Sequence, residues 1–307
     1  MRISLRQLNV FLSIAQAASL TQAAERLCMT KSAVSQTLAE LERRLGCALF
    51  DRHHGRLFIN AQGQRLIPLA DEIQTRVDDI GVALAGERAS PSLVLGVSRT
   101  IGGYLLPPLL ARFQAQYGWM PHVVVANTQT LQARLLHFEC DLAMVEGTIA
   151  HPEVMIRPWQ HDTLAVMCAK EHPVLRAPRD GSGNVPWQTL YNQPWILREI
   201  GSGTRDQYER HVRPHLENAL RIVLEMASFD AIMASVAEGL GLTFGSTLLM
   251  QRGGFHDALR MVPLPQTMSR QLSLCHHRHK YLSSAAQQWM AFIADQSAEK
   301  ENGKSSL

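Results

Sequence analysis

The stretch from Leu20 to Asn60, LTQAAERLCMTKSAVSQTLAELERRLGCALFDRHHGRLFIN, decides the fold of the N-terminal part of the chain. Its middle segment, residues 31–45, predicts a helix with an apolar side and a small polar side. The apolar stripe consists of Val34, Leu38, Leu41 and Leu45. The opposite face begins with Lys31, Ser32, Ser35 and Gln36. Such a face suits close approach to a hydrogen-bonding partner, and Thr30 can cap the helix so that its first amides point outward.

Two further amphipathic helices are predicted ahead of this one. The first carries a stripe of Leu5, Leu8, Leu12 and Ala15, with Phe11 at its edge. The second repeats apolar residues at Leu20, Ala23, Ala24 and Leu27. Its small alanines let another helix approach closely. Three such helices in a tight row, the last with a polar outer face, are typical of a helix-turn-helix unit.

The end of the quoted stretch, residues 48–60, predicts a β-hairpin that forms a wing beside the helices. Two short strands flank His53-His54-Gly55, where the glycine can turn the chain. Arg52 and Arg56 are then placed to reach the phosphates of a nucleic acid.

Positive charge is concentrated in this same part of the chain. Residues 1–65 contain nine lysines or arginines and four acids, which gives a net charge of +5. The whole chain has a net charge of +3, so the remaining residues carry −2. A small helical bundle with an ordinary solvated face is the alternative interpretation. The pattern and the charge together favour a DNA-binding unit.

The segment from Leu5 to Ala85 resembles the winged helix-turn-helix of the LysR-type transcriptional regulators, and the likeness extends through the rest of the chain. The matching stretches are LRQLNVFLSIAQAASLTQAAERL, SAVSQTLAELERRLGCALFDR and the A-x-G motif of Ala61 to Gly63. Two later stretches, PWILREIGSGTR and CHHRHK, resemble a branch of the family that includes YeiE and lies near the CysB-like regulators.

The resemblance implies a regulator that binds double-stranded DNA in a sequence-specific manner and responds to a small effector. It also implies a homo-oligomer, with a homodimer formed through a linker helix and a homotetramer formed by pairing of effector lobes. The residues that this assigns to DNA binding are Thr21, Gln22, Thr30, Lys31, Ser32, Ser35, Gln36, Arg52, His53 and Arg56.

A long helix is predicted after Asn60, which can cap it, and runs to about Ala85. Its apolar residues alternate in steps of four and three: Leu66, Ala70, Ile73, Val77, Ile80 and Leu84. Such a heptad pattern is buried against the same chain or in a two-stranded coiled coil between subunits, and we favour the coiled coil. Pro68 should kink the helix or open its first turn. Residues 85–92 form a small, polar linker.

Beyond this linker, short apolar runs alternate with helices, which indicates βαβ units on a mostly parallel sheet. The fold class is therefore α/β, with an N-terminal winged helix-turn-helix and a long linker helix, and the resemblance implies a two-lobed effector domain of periplasmic-binding-protein type. The expected units are residues 1–60 for DNA binding, 61–90 for the linker helix, 91–296 for the effector domain and 297–307 for a disordered tail. The resemblance places lobe I at about 91–162 and 268–296 and lobe II at about 163–267, joined by strands near Asp162–Ala169 and Arg270–His277.

Three loops of the effector domain precede helices and follow strands, where ligands of open α/β sheets bind. They are VSRTIGG, ANTQT and REIGSGTR, and the last is richest in glycines, hydroxyls and arginines. Their amides favour a small oxyanion or carboxylate, although ordinary helix capping explains any single Ser or Thr. The resemblance favours a sulfur oxyanion. Glu146 and Asp230 would accept from a ligand amine or hydroxyl. The candidate effector residues are Ser98, Arg99, Thr100, Asn127, Thr128, Glu146, Arg198, Ser202, Gly203, Thr204 and Asp230.

The sequence offers little for catalysis or metal binding, and we expect no enzyme activity, no cofactor and no metal. G-x-S-x-G, H-E-x-x-H and P-loop patterns are absent. His276 and His277 of CHHRHK would alternate faces on a strand, which favours a structural or solvent role over a metal site. Cys168 and Cys275 fall on the two connecting strands and could approach each other as a redox pair, although buried inert cysteines are more common.

The remaining composition favours a cytoplasmic protein without membrane contact. No apolar run reaches about 18 residues, and the N-terminus MRISLRQLNVFL lacks the features of an export signal. Five cysteines without paired spacing suit a reducing compartment. One alternative is a two-lobed small-molecule-binding protein or enzyme without a regulatory role, which would need neither wing nor coiled coil. Another is an architectural nucleoid protein with a vestigial sensor lobe and little sequence preference.

Overall fold

The computed structural model describes residues 3–53, 56–85, 91–216 and 219–304. A π-helical turn at Ile101–Leu105 leads into α5. The helices are α1 (Leu5–Ala17), α2 (Leu20–Arg26), α3 (Lys31–Leu45), α4 (Ala61–Ala85), α5 (Leu106–Tyr117), α6 (Thr128–Leu136), α7 (Gly203–His211), α8 (Phe229–Ala237), α9 (Leu248–Arg252) and α10 (Ser284–Lys304). The strands are β1 (Phe50–His53), β2 (Arg56–Ile59), β3 (Val94–Ser98), β4 (His122–Ala126), β5 (Leu142–Glu146), β6 (Val154–Ala169), β7 (Pro194–Arg198), β8 (Arg221–Met226), β9 (Thr243–Ser246), β10 (Leu259–Met261) and β11 (Met268–His277).

Helices α1–α3 and the hairpin β1–β2 form the winged domain around one apolar core. Ser19 and Thr30 cap α2 and α3 through their hydroxyls, as their side-chain chemistry favours. The apolar side of α3 is buried as the sequence predicts, with Leu45 only partly covered. The stripe predicted on α1 is shifted, since Leu5 is exposed and the buried side centres on Phe11 and Ile14. α1 contacts α2, α3 and α4, so its buried side is set by three neighbouring helices.

The linker helix α4 begins at a cap formed by Asn60, whose carbonyl oxygen Oδ1 accepts from the amides of Gln62 and Gly63, as predicted. Gly63 lies so close to β1 that a Cβ there would collide with the backbone oxygen of Leu49. Pro68 lies inside α4, which continues through it as one helix.

The two ends of α4 have different surroundings. Ile67 and Ala70 are buried in the core of the winged domain. The later residues of the predicted heptad pattern are exposed on this single chain, and we call them the open seam: Ile73, Val77, Ile80 and Leu84. The alternative of burial along the same chain therefore holds for the first half of the pattern and fails for the second.

The effector domain contains two α/β lobes that share the long strands β6 and β11. In lobe I, β3 pairs in parallel with β4 and β5, and β5 pairs antiparallel with β11. In lobe II, β6 pairs antiparallel with β9 and β10, and β7 pairs in parallel with β8. Because β6 and β11 run antiparallel from Val154–His277 to Leu164–Met268, the lobes are joined by two paired strands.

The register of β6 and β11 separates the two cysteines that the sequence suggested could meet. Cys275 faces Ile156, whereas Cys168 lies beyond the far end of β11 and faces Arg260 of β10. Twelve residues of extended strand correspond to roughly 40 Å. The hypothesis that Cys168 and Cys275 form a redox pair is therefore wrong. Burial in separate lobe cores raises the pKa of Cys275 to about 12 and that of Cys168 to about 11, so both stay protonated thiols.

The C-terminal helix corrects a second expectation. The sequence predicts a disordered tail from residue 297, but α10 continues to Lys304. Its Ala, Glu and Lys residues at 298–301 favour helix, so polarity alone does not end it. Residues 305–307 lie outside the described chain. In the described ranges, no helix combines the length and apolar composition that crossing a bilayer requires.

Candidate functional site

The first candidate site is a groove between the helix-turn-helix and the wing, with a volume of about 830 Å³. Polar side chains line it from α2 and α3, all exposed except the half-buried Ser35, and Arg52 lines it from the wing. The sequence-predicted residues that it brings together are Thr21, Lys31, Ser32, Ser35 and Arg52. Within residues 3–53, basic side chains therefore lie beside small hydroxyls on one open concave surface. This combination suits a nucleic acid, which offers phosphates to the basic groups and base edges to the hydroxyls.

The N-terminus of α3 points its polar face into solvent beside this groove. Thr30 accepts from the amide of Ala33 at 3.2 Å, and its hydroxyl lies 3.1 Å from that of Ser32. Gln36 follows one turn later and is exposed, as is Gln22 on α2. Buried Val34 and Leu38 fix the rotation of α3, and this rotation directs the polar residues outward.

The wing is present as predicted, with β1 and β2 antiparallel from Phe50–Ile59 to His53–Arg56. Arg52 is exposed on β1. His53 and Arg56 end the two strands, and their side chains lie outside the described structure, as does the predicted turn at His54 and Gly55.

The second candidate site is the cleft between lobes I and II, and its centre is a buried arginine that the sequence analysis did not select. Arg270, on β11, lies 2.6 Å from Oε2 of Glu146 and 2.7 Å from Oδ2 of Asp162. Its Nη1 donates to Thr204 at 2.8 Å and its Nη2 to Thr100 at 3.5 Å. Both carboxylates are buried with it. We call Arg270, Glu146 and Asp162 the acidic node, because their charges sum to −1.

The predicted hydroxyls surround this node from both lobes. Thr100 comes from lobe I and Thr204 from lobe II. Ser98 and Ser202 lie two residues before them, and both of these hydroxyls are buried without a hydrogen-bond partner among the described residues. Ser202 begins α7 but does not cap it through its side chain, so ordinary capping does not account for this serine.

Close packing between the lobes explains one of the predicted glycines. A Cβ on Gly203 would collide with the backbone oxygen of Glu146, so glycine allows α7 to touch the end of β5. The hydroxyl of Thr128 donates to that same oxygen at 3.0 Å, and the amide of Gln129 donates to Gly201 at 3.2 Å. The two lobes are therefore in direct contact at the cleft.

A second charged cluster lies beside the acidic node. Glu199 pairs with Arg198 at 2.7 Å, lies 3.6 Å from Nε of Arg99 and accepts from Asn127 at 3.4 Å. Burial acts to raise the pKa of Glu199, but the Arg198 guanidinium outweighs burial and holds this pKa below its ordinary value. We call Arg99, Arg198 and Glu199 the basic node, because their charges sum to +1.

Part of the basic node is open for a further contact. The guanidinium of Arg198 is buried and lies 4.3 Å from the ring centre of Phe229. Its Nη1 and the Nε of Arg99 are buried and have no hydrogen-bond acceptor among the described residues. Unmet buried donors of this kind are costly, which suits a site that a ligand completes.

Two other charged residues, one a separate candidate and one from the REIGSGTR loop, do not join these nodes. Asp230 is exposed and accepts from the hydroxyl of Tyr104 at 2.9 Å, which connects the lobes at the mouth of the cleft. Burial, with this bond, raises the pKa of Tyr104 to about 12. Arg205 is held by Glu209 at 2.7 Å and Glu225 at 2.9 Å, which makes it a structural residue of lobe II.

The CHHRHK histidines lie at the end of β11, away from the cleft. The His277 ring packs against Phe138 in a tilted arrangement, with ring centres 4.4 Å apart, and its Nδ1 accepts from the amide of His279 at 3.1 Å. His276 is buried and its Nδ1 lies 2.9 Å from the backbone oxygen of His277. Within the described ranges, no three His, Cys, Asp or Glu side chains are grouped so that they could hold a metal ion.

Comparison with known proteins places both sites in domains of one protein family. The family pattern described as the bacterial regulatory helix-turn-helix protein, lysR family, matches residues 5–64, and the one described as the LysR substrate binding domain matches residues 86–298. The chain belongs to the LysR family. YeiE of Escherichia coli (strain K12), named as an HTH-type transcriptional regulator, is 34% identical over 95% of this chain and 97% of its own.

Solved LysR-type structures share the architecture. A full-length OxyR variant from Pseudomonas aeruginosa superposes with a TM-score of 0.70 at 20% identity over 96% of this chain and 94% of that chain. The regulatory domain of CcmR from Synechocystis PCC6803, solved in complex with 2-PG, superposes with a TM-score of 0.60 at 25% identity over 67% of this chain and 97% of that chain. The chain is thus a LysR-type transcriptional regulator with a DNA-binding and an effector-binding domain.

Proposed function

We propose that this regulator binds specific DNA sites as a symmetric oligomer and that its DNA binding changes when a small anion enters the interlobe cleft. One observation carries the effector part of the proposal: donors on Ser98 of lobe I and on Arg198 and Ser202 of lobe II are buried without hydrogen-bond partners among the described residues. Because these donors are linked to a winged domain by one helix, their occupancy is suited to control DNA binding.

In this proposal the polar start of α3 enters the major groove. Ser32, Ser35 and Gln36 read base edges, with Thr21, Gln22 and Thr30 beside them. Lys31, Arg52 and Arg56 neutralise phosphates, and His53 lies next to them at the tip of the wing. The exposure of the described side chains, with Ser35 half-buried on the groove, supports these roles.

The oligomer is proposed to form through the open seam. A run of exposed aliphatic residues on the last turns of α4 is unfavourable in water and becomes buried when a second α4 packs against it. A dimer presents two recognition helices to two half-sites of DNA. Pairing of effector lobes would then give the tetramer.

The effector is proposed to be a compact oxyanion, with sulfur oxyanions favoured by the resemblance to the CysB-like branch. The amides at the start of α7 and the hydroxyls of Thr100, Ser202 and Thr204 provide donors, and Arg198 and Arg99 provide positive charge. The solved relative CcmR holds 2-PG in its regulatory domain, which supports a small-molecule site in this domain.

Calorimetric titration of the wild-type chain with sulfite, sulfate, thiosulfate and small carboxylates tests the proposal. Thr100→Val and Ser202→Ala should each lose about 1–3 kcal/mol of binding free energy, the range for hydrogen bonds to a charged group. Ser182→Ala, on an exposed loop of lobe II, is the matched control and should bind like wild type. DNA affinity without ligand should stay unchanged in all three. A wild-type chain that binds none of these anions would contradict the proposal.

A further inference from the structure

The cleft contains two nodes of opposite charge that are connected through neighbouring residues. Arg99 lies 3.6 Å from Glu199 of the basic node, while the next residue, Thr100, contacts Arg270 of the acidic node. On the neighbouring loop of lobe I, Asn127 donates to Glu199, and the next residue, Thr128, donates to the backbone of Glu146. Two pairs of consecutive residues therefore connect the nodes, which places them side by side along the cleft.

The charge of the acidic node limits what can lie against it. Arg270 is the single cation in contact with two buried carboxylates, Glu146 and Asp162, among the residues that the structure describes. Asp162 is further satisfied by the hydroxyl of Ser246 at 2.7 Å. Glu146 Oε2 has its ion pair with Arg270 but no well-directed hydrogen bond among the described residues. A ligand group at this end is therefore favoured when it donates a hydrogen bond and disfavoured when it brings bare acceptor oxygens.

The basic node has the opposite preference. Arg198 and Arg99 exceed Glu199 by one positive charge, and each arginine has one buried nitrogen without an acceptor in the described part of the chain. The buried, unpartnered Ser202 hydroxyl lies on the loop that leads from Arg198 to α7. An anionic group at this end would meet donors and compensate the excess charge.

We infer that the effector is a small molecule with two unlike ends, one anionic and one that donates a hydrogen bond. Its anionic group binds Arg198 and Arg99, and a hydroxyl, an amine or the acid's own O–H donates to Glu146. This inference rests on the proposed function and narrows it, because it excludes compact anions that have acceptors on every side. Hydroxy acids, amino acids and protonated oxyanions share the required chemistry.

Matched pairs of ligands test the inference on the wild-type chain. Phosphate at neutral pH carries at least one proton and sulfate carries none, although both are tetrahedral and similar in size. Glycolate and glycine add a donor to acetate. Calorimetric titration should show phosphate binding at least about tenfold more tightly than sulfate, or glycolate or glycine at least about tenfold more tightly than acetate, the factor that about 1.4 kcal/mol produces. A preference for phosphate over sulfate would identify the acid's own O–H as the donor. A preference for glycolate or glycine over acetate would identify a hydroxyl or an amine.

Two variants test the two ends of the site separately. Glu146→Gln removes the negative charge and can itself donate, so the preference within the responding pair should fall to less than about threefold. Arg198→Gln should weaken both members of that pair by at least about tenfold and leave their ratio unchanged. Far-UV circular dichroism and DNA affinity without ligand confirm that each variant is folded, and the wild-type series decides the question if a variant is not.

The outcomes distinguish this inference from the proposed function. Anions that bind wild type without any preference for the donor-bearing members would overturn the two-ended effector and leave the anion site intact. A preference that persists unchanged in Glu146→Gln would also overturn it, because Glu146 would then not be the acceptor. If neither the matched pairs nor sulfite, thiosulfate and the other small carboxylates bind, the proposed anion site is overturned together with the inference.

Discussion

The side-chain nitrogen Nζ of Lys280 lies 2.7 Å from Oδ1 of Asp71, and this buried ion pair joins the effector domain to the linker helix. The same nitrogen lies 2.8 Å from Asp141 and 5.5 Å from the ring centre of Phe138. Burial acts to lower the pKa of Lys280, but Asp141 and Asp71 outweigh it and raise this pKa above its ordinary value. We call Asp71, Phe138, Asp141 and Lys280 the docking node.

Further contacts hold the same two parts of the chain together. Asp79 of α4 accepts from the amide and hydroxyl of Ser284 at the start of α10. Gln16 of α1 donates to the backbone oxygen of Phe138 at 3.2 Å, and the Phe138 ring is buried within the core of the winged domain. Lobe I is therefore docked on the winged domain and along α4 from Asp71 to Asp79.

Removing the charge of Lys280 should loosen this docking. Lys280→Met leaves the buried Asp71 and the half-buried Asp141 without their cation, which costs about 3 kcal/mol or more. Urea unfolding should show this loss, and hydrogen exchange should speed up in the early turns of α4. Lys170→Met, at an exposed lysine of lobe II, should change neither quantity. Equal stability of the two variants would show that the docking node contributes little.

Acidification should loosen the same contact through His277. Burial lowers the pKa of His277 from its ordinary value of 6.5 to about 4. A His with a lowered pKa contributes stability that is full above pH 6.5 and is lost as the pH falls through about 4, because the unfolded chain binds the proton first. Protonation would also remove the acceptor that Nδ1 offers to the amide of His279.

The measurement is the melting temperature of wild type and His277→Asn between about pH 7 and pH 4. Wild type should lose more stability over this range than the variant, whose side chain keeps an acceptor but does not titrate. Carboxylates elsewhere affect both chains equally, so the difference between the two curves reports His277. Parallel curves would contradict the assignment.

The open seam can be tested by placing charges in it. Ile73→Asp and Val77→Asp should each give monomers or a misfolded linker, because a carboxylate would be buried at a two-fold interface. Light scattering measures the molar mass. Leu240→Asp, at an equally exposed aliphatic residue after α8, is the control and should keep the wild-type mass. A double seam variant that remains fully dimeric would show that the main interface lies elsewhere.

The recognition face should separate base contacts from phosphate contacts. Gln36→Ala should cost about 1–3 kcal/mol at the specific site and relax the preference at one base pair. Arg52→Ala should weaken binding to all sequences alike and reduce the slope against salt by about one. Gln114→Ala, on the effector domain, is the control for the first change. Unchanged affinity and preference in Gln36→Ala would refute the docking of α3.

Local periodicity was sufficient to predict the winged domain and most of the sheet. Val34, Leu38 and Leu41 on α3 are buried because their spacing follows the helix that they belong to. The first half of β6 was missed, since residues 154–162 mix arginine, glutamine and histidine with apolar residues and lack the usual strand pattern. Its pairing with β11 and the rest of the sheet, which is distant in sequence, makes it a strand.

The cleft was predicted in part. The hydroxyls of Ser98, Thr100, Ser202 and Thr204 were found because they follow strands and precede helices. Arg270 was missed because it lies within a strand, as the third residue of β11, where no loop signal marks it. A charged residue within an otherwise apolar strand is itself a signal, since burial of an unpaired guanidinium is prohibitive and implies buried acids nearby.

The exposed aliphatic side chains on the last turns of α4 would make DNA binding depend on the concentration of the regulator in the cell. If the DNA-binding species forms by self-association through this surface, mass action sets its concentration. Where single chains predominate, halving the total protein leaves only about a quarter of the paired species. Gene dosage and turnover of the chain would then shift occupancy of the operator even when the effector concentration stays constant.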